Sequence, residues 1–442
     1  MIGKLNATKS ADKREGWLRG RPCTRRRFLQ AAACLPAALH SGGSPMMTDF
    51  AALLALYRSE LLDRTVPFWL GHGMDWENGG ICTVLSDDGV VLSRDKYMWS
   101  QLRAIWTFSA LYNRIERRTE WLDAARHIYE FAKRFGRDGR GNWVFSVEKD
   151  GRPIQGATSI YADGFAIGGL TEYAKATGSE EAIRLARDTY RNVRERLAHP
   201  GTYPTEPLPI PAGCKAHGIS MIFAKAFHDL GSLLDDAEIC RVGLDHAGQV
   251  MDIFRRPERR RVYEFVRFDN SLWETPPGTA VVPGHAIEAM WFMIHIFRRL
   301  GDRERVRQAI ECIRWHIELG WDGEFGGILL ARDAAGTFWT DKEDTKIWWP
   351  HAEALYALLL AHSIVGEPWC MDWFARVHDY SFGHFPSPHG EWVQRLDRRG
   401  KRIDNIAAMP VKDPFHLARS LIHCTGVLRE LSADGARGKA DR

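Results

Sequence analysis

Four stretches set a histidine, an arginine or a carboxylate at helical spacing among aromatic residues. They are KYMWSQLRAIW (96–106), PGHAIEAMWF (283–292), KIWWPHAEAL (346–355) and KDPFHLARS (412–420). Trp99, Arg103 and Trp106 stand at i, i+4 and i+7, while His285/Glu288 and His416/Arg419 stand at i, i+3. Residues three or four apart share a helix face. His351 and Glu353 open an otherwise apolar segment, and KAHGISM (215–221) adds His217. A histidine, with a pKa near about 6.5, can take or give a proton at neutral pH. An arginine offers a permanent cation to a developing oxyanion. The set suits general acid–base chemistry through an anionic intermediate. His-x-x-Glu could also begin a metal site, but zinc takes three or four ligands in a recognisable spacing, and none follows. No metal is expected.

Each polar cluster begins an apolar helical segment. Twelve helices are predicted at 49–64, 98–117, 120–135, 162–177, 180–197, 217–233, 238–254, 283–300, 302–319, 346–365, 367–380 and 414–431. Short junctions such as KATGSEE (175–181) and RRLGDRE (298–304) make neighbours antiparallel. Ahead of several even-numbered helices lie similar segments, GGICTVLSDDGVVL (79–92), GNWVFSVEKDGRPI (141–154), GGILLARDAAGTFW (326–339) and GEWVQRLDRRGKRI (390–403). Their period-2 alternation broken at Asp-Gly or Asp-x-x-Gly predicts β-hairpins. Recurrence of this kind indicates a repeat closed on itself. The expected fold is all-α, an (α/α)6 barrel over 46–435 with even helices inside, short β-hairpins on the active-site rim, and a disordered tail at 436–442. The polar starts of the even helices then share one rim.

The 442 residues are 45% hydrophobic and 26% charged, without an apolar run long enough to span a membrane. Residues 1–27 hold nine Lys/Arg against two acids, so the rest carries 51 basic and 54 acidic residues. The net positive charge therefore belongs to the N-terminus and is no sign of nucleic-acid binding. Residues 1–45 are excluded from the fold. Thr24-Arg25-Arg26-Arg27-Phe28-Leu29-Gln30 and the apolar stretch after it resemble a twin-arginine export signal. The other reading is a cytoplasmic product that starts at Met46 or Met47. Eight scattered cysteines without a CxxC are expected as free thiols.

The four motifs, in this order, resemble the signatures of the N-acylglucosamine 2-epimerase (renin-binding-protein) family, which also holds cellobiose 2-epimerases and aldose–ketose isomerases. The resemblance runs from residue 48 to about 432. It implies an (α/α)6 barrel with no metal or nicotinamide requirement, and His285 and His416 as the acid/base pair. It also implies Arg103 at the sugar's carbonyl end and Glu288 orienting His285. The Trp-Trp-Pro-His-x-Glu stretch is closer to the acylglucosamine epimerases than to the cellobiose branch. His217 lies three residues early for the extra histidine of that branch. Trp99, Trp106, Trp349, Trp392, His351, Glu353, His217 and Arg419 are the expected substrate contacts, with Trp99, Trp349 and Trp392 stacking on the ring and His351 and Glu353 meeting hydroxyls. The family is compatible with a nucleotide effector and with a homodimer.

The implied reaction removes the proton on C2 of an open-chain reducing sugar, most simply an N-acylglucosamine or N-acylmannosamine, and returns it to the other face. One histidine moving the proton from C2 to C1 would instead yield a ketose. Two rivals stand beside this reading: an (α/α)6 glycoside hydrolase, which needs two carboxylates flanking the bond, and an inactive sugar-binding module.

Overall fold

The computed structural model describes residues 49–335, 344–410 and 412–440, with side chains as far as residue 433. The leader expected at 1–45 and the start at Met46 or Met47 lie outside the described residues. The helices are α1 (Phe50–Ser59), α2 (Met98–Arg114), α3 (Thr119–Phe135), α4 (Tyr161–Thr177), α5 (Glu180–Leu197) and α6 (His217–Leu234). There follow α7 (Ala237–Gln249), α8 (Pro283–Arg299), α9 (Arg303–Gly320), α10 (Trp348–Val365), α11 (Pro368–His384) and α12 (His416–Ala440). Two differences from the sequence reading stand out. α1 does not end near residue 64 but continues past Pro67 through the π-helical turns Glu60–Thr65 and Trp69–Gly73. α12 runs to Ala440, past the point where the barrel was expected to give way to a tail.

The even helices form a closed ring. α2 packs on α4, α4 on α6, α6 on α8, α8 on α10, α10 on α12, and α12 on α2 again. Each odd helix packs outside one of them, with α1 lying on α12. Side-chain patterning explains the two layers. α3 buries Trp121, Ala124, Ala125, Ile128, Tyr129 and Ala132, a single stripe suited to one neighbour. α10 buries every residue from Pro350 to Ala361, as a helix enclosed on all sides must. Between α4 and α5, Gly178 takes φ +70°, the left-handed conformation that ends a helix.

The rim above the inner helices is tied by strand pairs. Lys96–Tyr97 pairs with Ser146–Val147, Cys214–Ala216 with Phe265–Arg267, Ala280–Val281 with Arg332–Asp333, and Lys346–Ile347 with Arg395–Leu396. Ser159 bridges Thr205, and Val84–Ser86 pairs with Ile406–Ala408, which joins the two ends of the barrel sequence. The expected hairpins form at 79–92 and 141–154. At 390–403 the described turn carries the single bridge Leu396–Arg402, and its main pairing is with the neighbouring repeat. Of the stretch 326–339, Arg332–Asp333 likewise pairs across to a neighbour, and residues 336–339 lie outside the described residues. Repeats therefore bond to one another more than each folds on itself.

Buried lysines hold these linkers in register. Lys96 Nζ lies 2.7 Å from Asp75 Oδ2, and Lys346 Nζ 3.2 Å from Asp322 Oδ2, each side chain no more than 1% exposed. Lys412 and Glu391 repeat the arrangement at 3.5 Å. Breaking such a pair leaves a buried charge uncompensated, at about 3–5 kcal/mol. We therefore expect Asp75→Asn to destabilise the protein by about that much in chemical denaturation, and Asp75→Asn with Lys96→Met to recover most of it. An unchanged single variant would show that the pair does not hold the rim.

Candidate active site

The inner-helix N-termini open on a cavity of about 480 Å³. Of the residues singled out in the sequence, Trp99, Arg103, Trp106, His285, Glu288, Trp349, His416 and Arg419 line it. They come from α2, α8, α10 and α12, brought to one level by the rim pairing.

The two histidines each have a carboxylate partner on one ring nitrogen. His285 Nδ1 is 3.2 Å from Glu264 Oε2, and His416 Nδ1 is 2.7 Å from Glu353 Oε1. A carboxylate only accepts, so each Nδ1 carries the proton and Nε2 is left for chemistry. Trp349 neighbours both rings, its ring centroid 5.0 Å from that of His285 and 5.4 Å from that of His416. Gly284 allows that approach, since a Cβ there would stand 2.6 Å from the indole.

Arg419 organises the floor beneath His416. Its Nη2 donates to Glu353 Oε1 at 2.6 Å and also to Glu288 Oε1. Glu353 Oε2 accepts from Trp291 Nε1 at 2.8 Å. Arg419 is thus committed to two carboxylates. Arg103 is not: Asp413 lies 3.7 Å from its Nε, and Phe415 and Phe165 cover its guanidinium at 4.6 and 4.9 Å. At that distance the pair makes no hydrogen bond, and burial pushes the Asp413 carboxyl up to about 6 even beside Arg103.

Electrostatics divides the histidines. Burial and the positive charges of Arg103 and Arg419 hold His416 well below its ordinary value, against the pull of Glu288. Burial also works against charging His285, but the charge and hydrogen bond of Glu264, with Glu288 further off, win and raise it. Glu264 itself, although buried, is drawn down to about 2 by His285 and His217.

Several placements correct the sequence reading. The carboxylate on His285 is Glu264, whereas Glu288 is turned to Arg419 and lies 3.9 Å from His416 Nδ1. Glu353 does not line the cavity but stands behind His416. His351 is fully buried; it accepts from the Ile328 amide at 2.8 Å and donates to the Ile347 carbonyl at 2.8 Å, tying α10 to its linker. Trp392 is fully buried, stacked on Phe385 and donating to Glu60 Oε1 at 2.8 Å, away from the cavity. His217 is also fully buried and sits behind Glu264 at 3.8 Å. Glu264 itself was missed because it lies on no helix; the signal was an acid inside the apolar alternation Val262-Tyr263-Glu264-Phe265-Val266.

Glu288, Glu353 and His416 bring three ligand atoms within 4.8 Å of one another. Arg419 already sits on both carboxylates, and its charge opposes a cation there.

Comparison with known proteins identifies the family. The sequence model of the family described as N-acylglucosamine 2-epimerase (GlcNAc 2-epimerase) matches residues 79–420. The chain is 33% identical over 391 residues to the N-acylglucosamine 2-epimerase of Mus musculus, covering 84% of this chain and 90% of that protein. It is 27% identical over 424 residues to the cellobiose 2-epimerase of Dictyoglomus turgidum, covering 86% of this chain and all of that one. The solved structure of cellobiose 2-epimerase from Bacillus thermoamylovorans B4167 superposes with a TM-score of 0.76 at 21% identity, over 85% of this chain and 99% of that one. That likeness shows the shared (α/α)6 barrel.

The carboxylate on His285 sets a measurable pH dependence. Glu264→Gln removes the negative charge that favours the imidazolium, so the His285 pKa should fall. We expect the alkaline limb of the kcat/KM profile of the enzyme to move to lower pH while the acid limb, governed by His416, stays in place. A limb that does not move would separate Glu264 from the protonation of His285.

Proposed function

The chain belongs to the N-acylglucosamine 2-epimerase family, and from that premise we propose that it is a sugar 2-epimerase acting on a reducing hexose or N-acylhexosamine through proton transfer at C2. The observation that carries this reading is the histidine pair. Two imidazoles on different inner helices flank one cavity, each with Nε2 left over and with pKa values pushed in opposite directions. Acid and base roles are separated in this way when two titratable groups share a site.

In the open-chain sugar the C1 aldehyde makes the C2 proton acidic. Neutral His416 takes that proton through Nε2 from the epimer that presents it on its side. Protonated His285 returns one to the opposite face, and the reverse reaction exchanges the roles. Charge accumulates on the C1 oxygen as the enediolate forms. Arg103 is the cation placed to meet it, because Arg419 is hydrogen-bonded to Glu288 and Glu353 whereas Asp413 stands 3.7 Å from Arg103 Nε without a hydrogen bond. Glu353 and Glu264 keep each ring in the tautomer that exposes Nε2. Side chains complete this proton transfer, and no step requires a hydride carrier.

The hydrolase alternative needs a carboxylic acid and a carboxylate facing the bond to be cut. Glu288 and Glu353 both accept from one nitrogen of Arg419, and Glu353 is outside the cavity lining. They cannot flank a substrate.

In deuterium oxide the product should carry deuterium at C2, while unreacted substrate stays unlabelled at early times because each face has its own histidine. His285→Asn and His416→Asn should each lose about 100-fold or more in turnover. Arg103→Lys should also be severely impaired, since a point charge does not replace the planar fork. Product that keeps its original C2 hydrogen, read by proton NMR, would eliminate the two-histidine mechanism; ketose as the main product would make the enzyme an aldose–ketose isomerase.

A further inference from the structure

His217, His316 and His351 are all wholly buried. Two of them are tied at both ring nitrogens. His351 bonds the Ile328 amide and the Ile347 carbonyl. His316 accepts from the Val262 amide at 3.0 Å and donates to the Cys312 carbonyl at 2.7 Å. Neither ring nitrogen of His217 has a hydrogen-bond partner. An imidazole carries at least one N–H in either protonation state, and a buried donor left unpaired is destabilising. His217 is therefore not a structural tie of the kind His316 and His351 are.

What it faces is Glu264. Cys214–Ala216 pairs with Phe265–Arg267, and the His217 amide donates to the Glu264 carbonyl at 2.9 Å, so the two residues stand side by side. His217 Nδ1 lies 3.8 Å from Glu264 Oε1, while His285 Nδ1 lies 3.2 Å from Oε2. The carboxylate thus stands between two imidazoles and is closed on neither, since a charge-assisted bond measures about 2.7–2.9 Å. Glu353 differs: Arg419 and Trp291 fix its oxygens, and it meets His416 at 2.7 Å. Among the described residues the Glu264 carboxylate has no donor but these two histidines. Tyr161 on α4 and His316 on α9, with Arg261 beyond it, are the other titratable groups in electrostatic reach, and His285 also feels Glu288 on α8 and His416 on α12. A movement of about 1 Å brings Oε1 onto the His217 nitrogen.

We propose that His217 is a positioning residue for His285: its N–H shares the Glu264 carboxylate and limits how firmly that carboxylate holds the His285 proton. The assignment rests on the epimerase reading, in which His285 must both give a proton to C2 and take one back. A carboxylate left to His285 alone would favour the imidazolium too strongly for ready release. With His217 drawing on the other oxygen, the carboxylate is satisfied whether His285 is charged or neutral. His217 does not line the cavity, so it acts through Glu264 and not on the sugar.

The test follows His285 in wild type, His217→Phe and His217→Asn. It uses NMR titration of the imidazole in the free enzyme, its signal assigned by loss in His285→Asn, and the pH profile of kcat/KM. Phe removes the N–H, whereas Asn keeps a donor where Nδ1 stands. Glu264, drawn down to about 2, stays ionised near neutrality without that bond. In His217→Phe the His285 titration and the alkaline limb should therefore move up by about one pH unit, with KM near wild type. That is opposite to the shift expected for Glu264→Gln. His217→Asn should return both to their wild-type positions. In a Glu264→Gln background His217→Phe should leave His285 unmoved, because the shared carboxylate is gone. A His285 titration that stays in place in His217→Phe overturns the proposal, and so does an equal shift in His217→Asn. The NMR titration needs no substrate, so it judges His217 independently of C2 exchange, whose absence with every sugar would remove the epimerase reading instead. Should His217→Phe not fold, His217→Leu is read in the same way.

Discussion

Closure of the inner helical ring is the constraint on which the rest of the molecule depends. Six inner helices can expose a common cavity only if their N-termini stand at one level, and helix packing alone permits sliding along the axes. The strand pairs at the rim prevent it. Each is only one to three residues long, but each bonds the entrance of an inner helix to the linker of a neighbouring repeat, and Val84–Ser86 with Ile406–Ala408 closes the circle. Buried lysine–carboxylate pairs fix three of the linkers beneath. The chemistry lies where these restraints meet.

The same construction leaves a polar field at the rim. α1, α5, α7 and α9, all outer helices, begin with an Asp or Ser side chain bonded to the first-turn amides. The inner helices α2, α4, α6, α8 and α10 begin without such a cap. Their positive ends favour negative charge nearby, which suits an enediolate and disfavours a second imidazolium. Two histidines in that field would tend to behave alike. Glu264 makes them differ, by raising His285 while His416 stays under the influence of Arg103 and Arg419.

Arg419 shows how one residue restricts what a scaffold can do. Its Nη2 is shared between Glu288 and Glu353, which ends their availability as an acid/base couple and makes Glu353 a fixed acceptor for His416. Glycoside cleavage would need a carboxylic acid and a carboxylate flanking the bond, and this salt bridge takes both carboxylates out of that arrangement.

The sequence by itself determined the number of helices, their alternation and the end of the barrel at which polar residues gather. Those features follow from local periodicity, turn chemistry and recurrence, which short-range sequence carries in full. It also held the identities of His285, His416 and Arg103 as cavity residues, because helical spacing puts each in the first turns of an inner helix. Tertiary structure decided the partnerships. Glu264 reaches His285 from a bend between two strands, 21 residues earlier, and Glu353 reaches His416 from 63 residues away. Adjacency in sequence suggested Glu288 for His285, and His351 and Trp392 for the sugar. A helix turns its successive residues to different neighbours, so a residue one or two positions from a catalytic one can face the packed interior. Which side of each inner helix meets the cavity is set by the closed ring, and no segment carries that information alone.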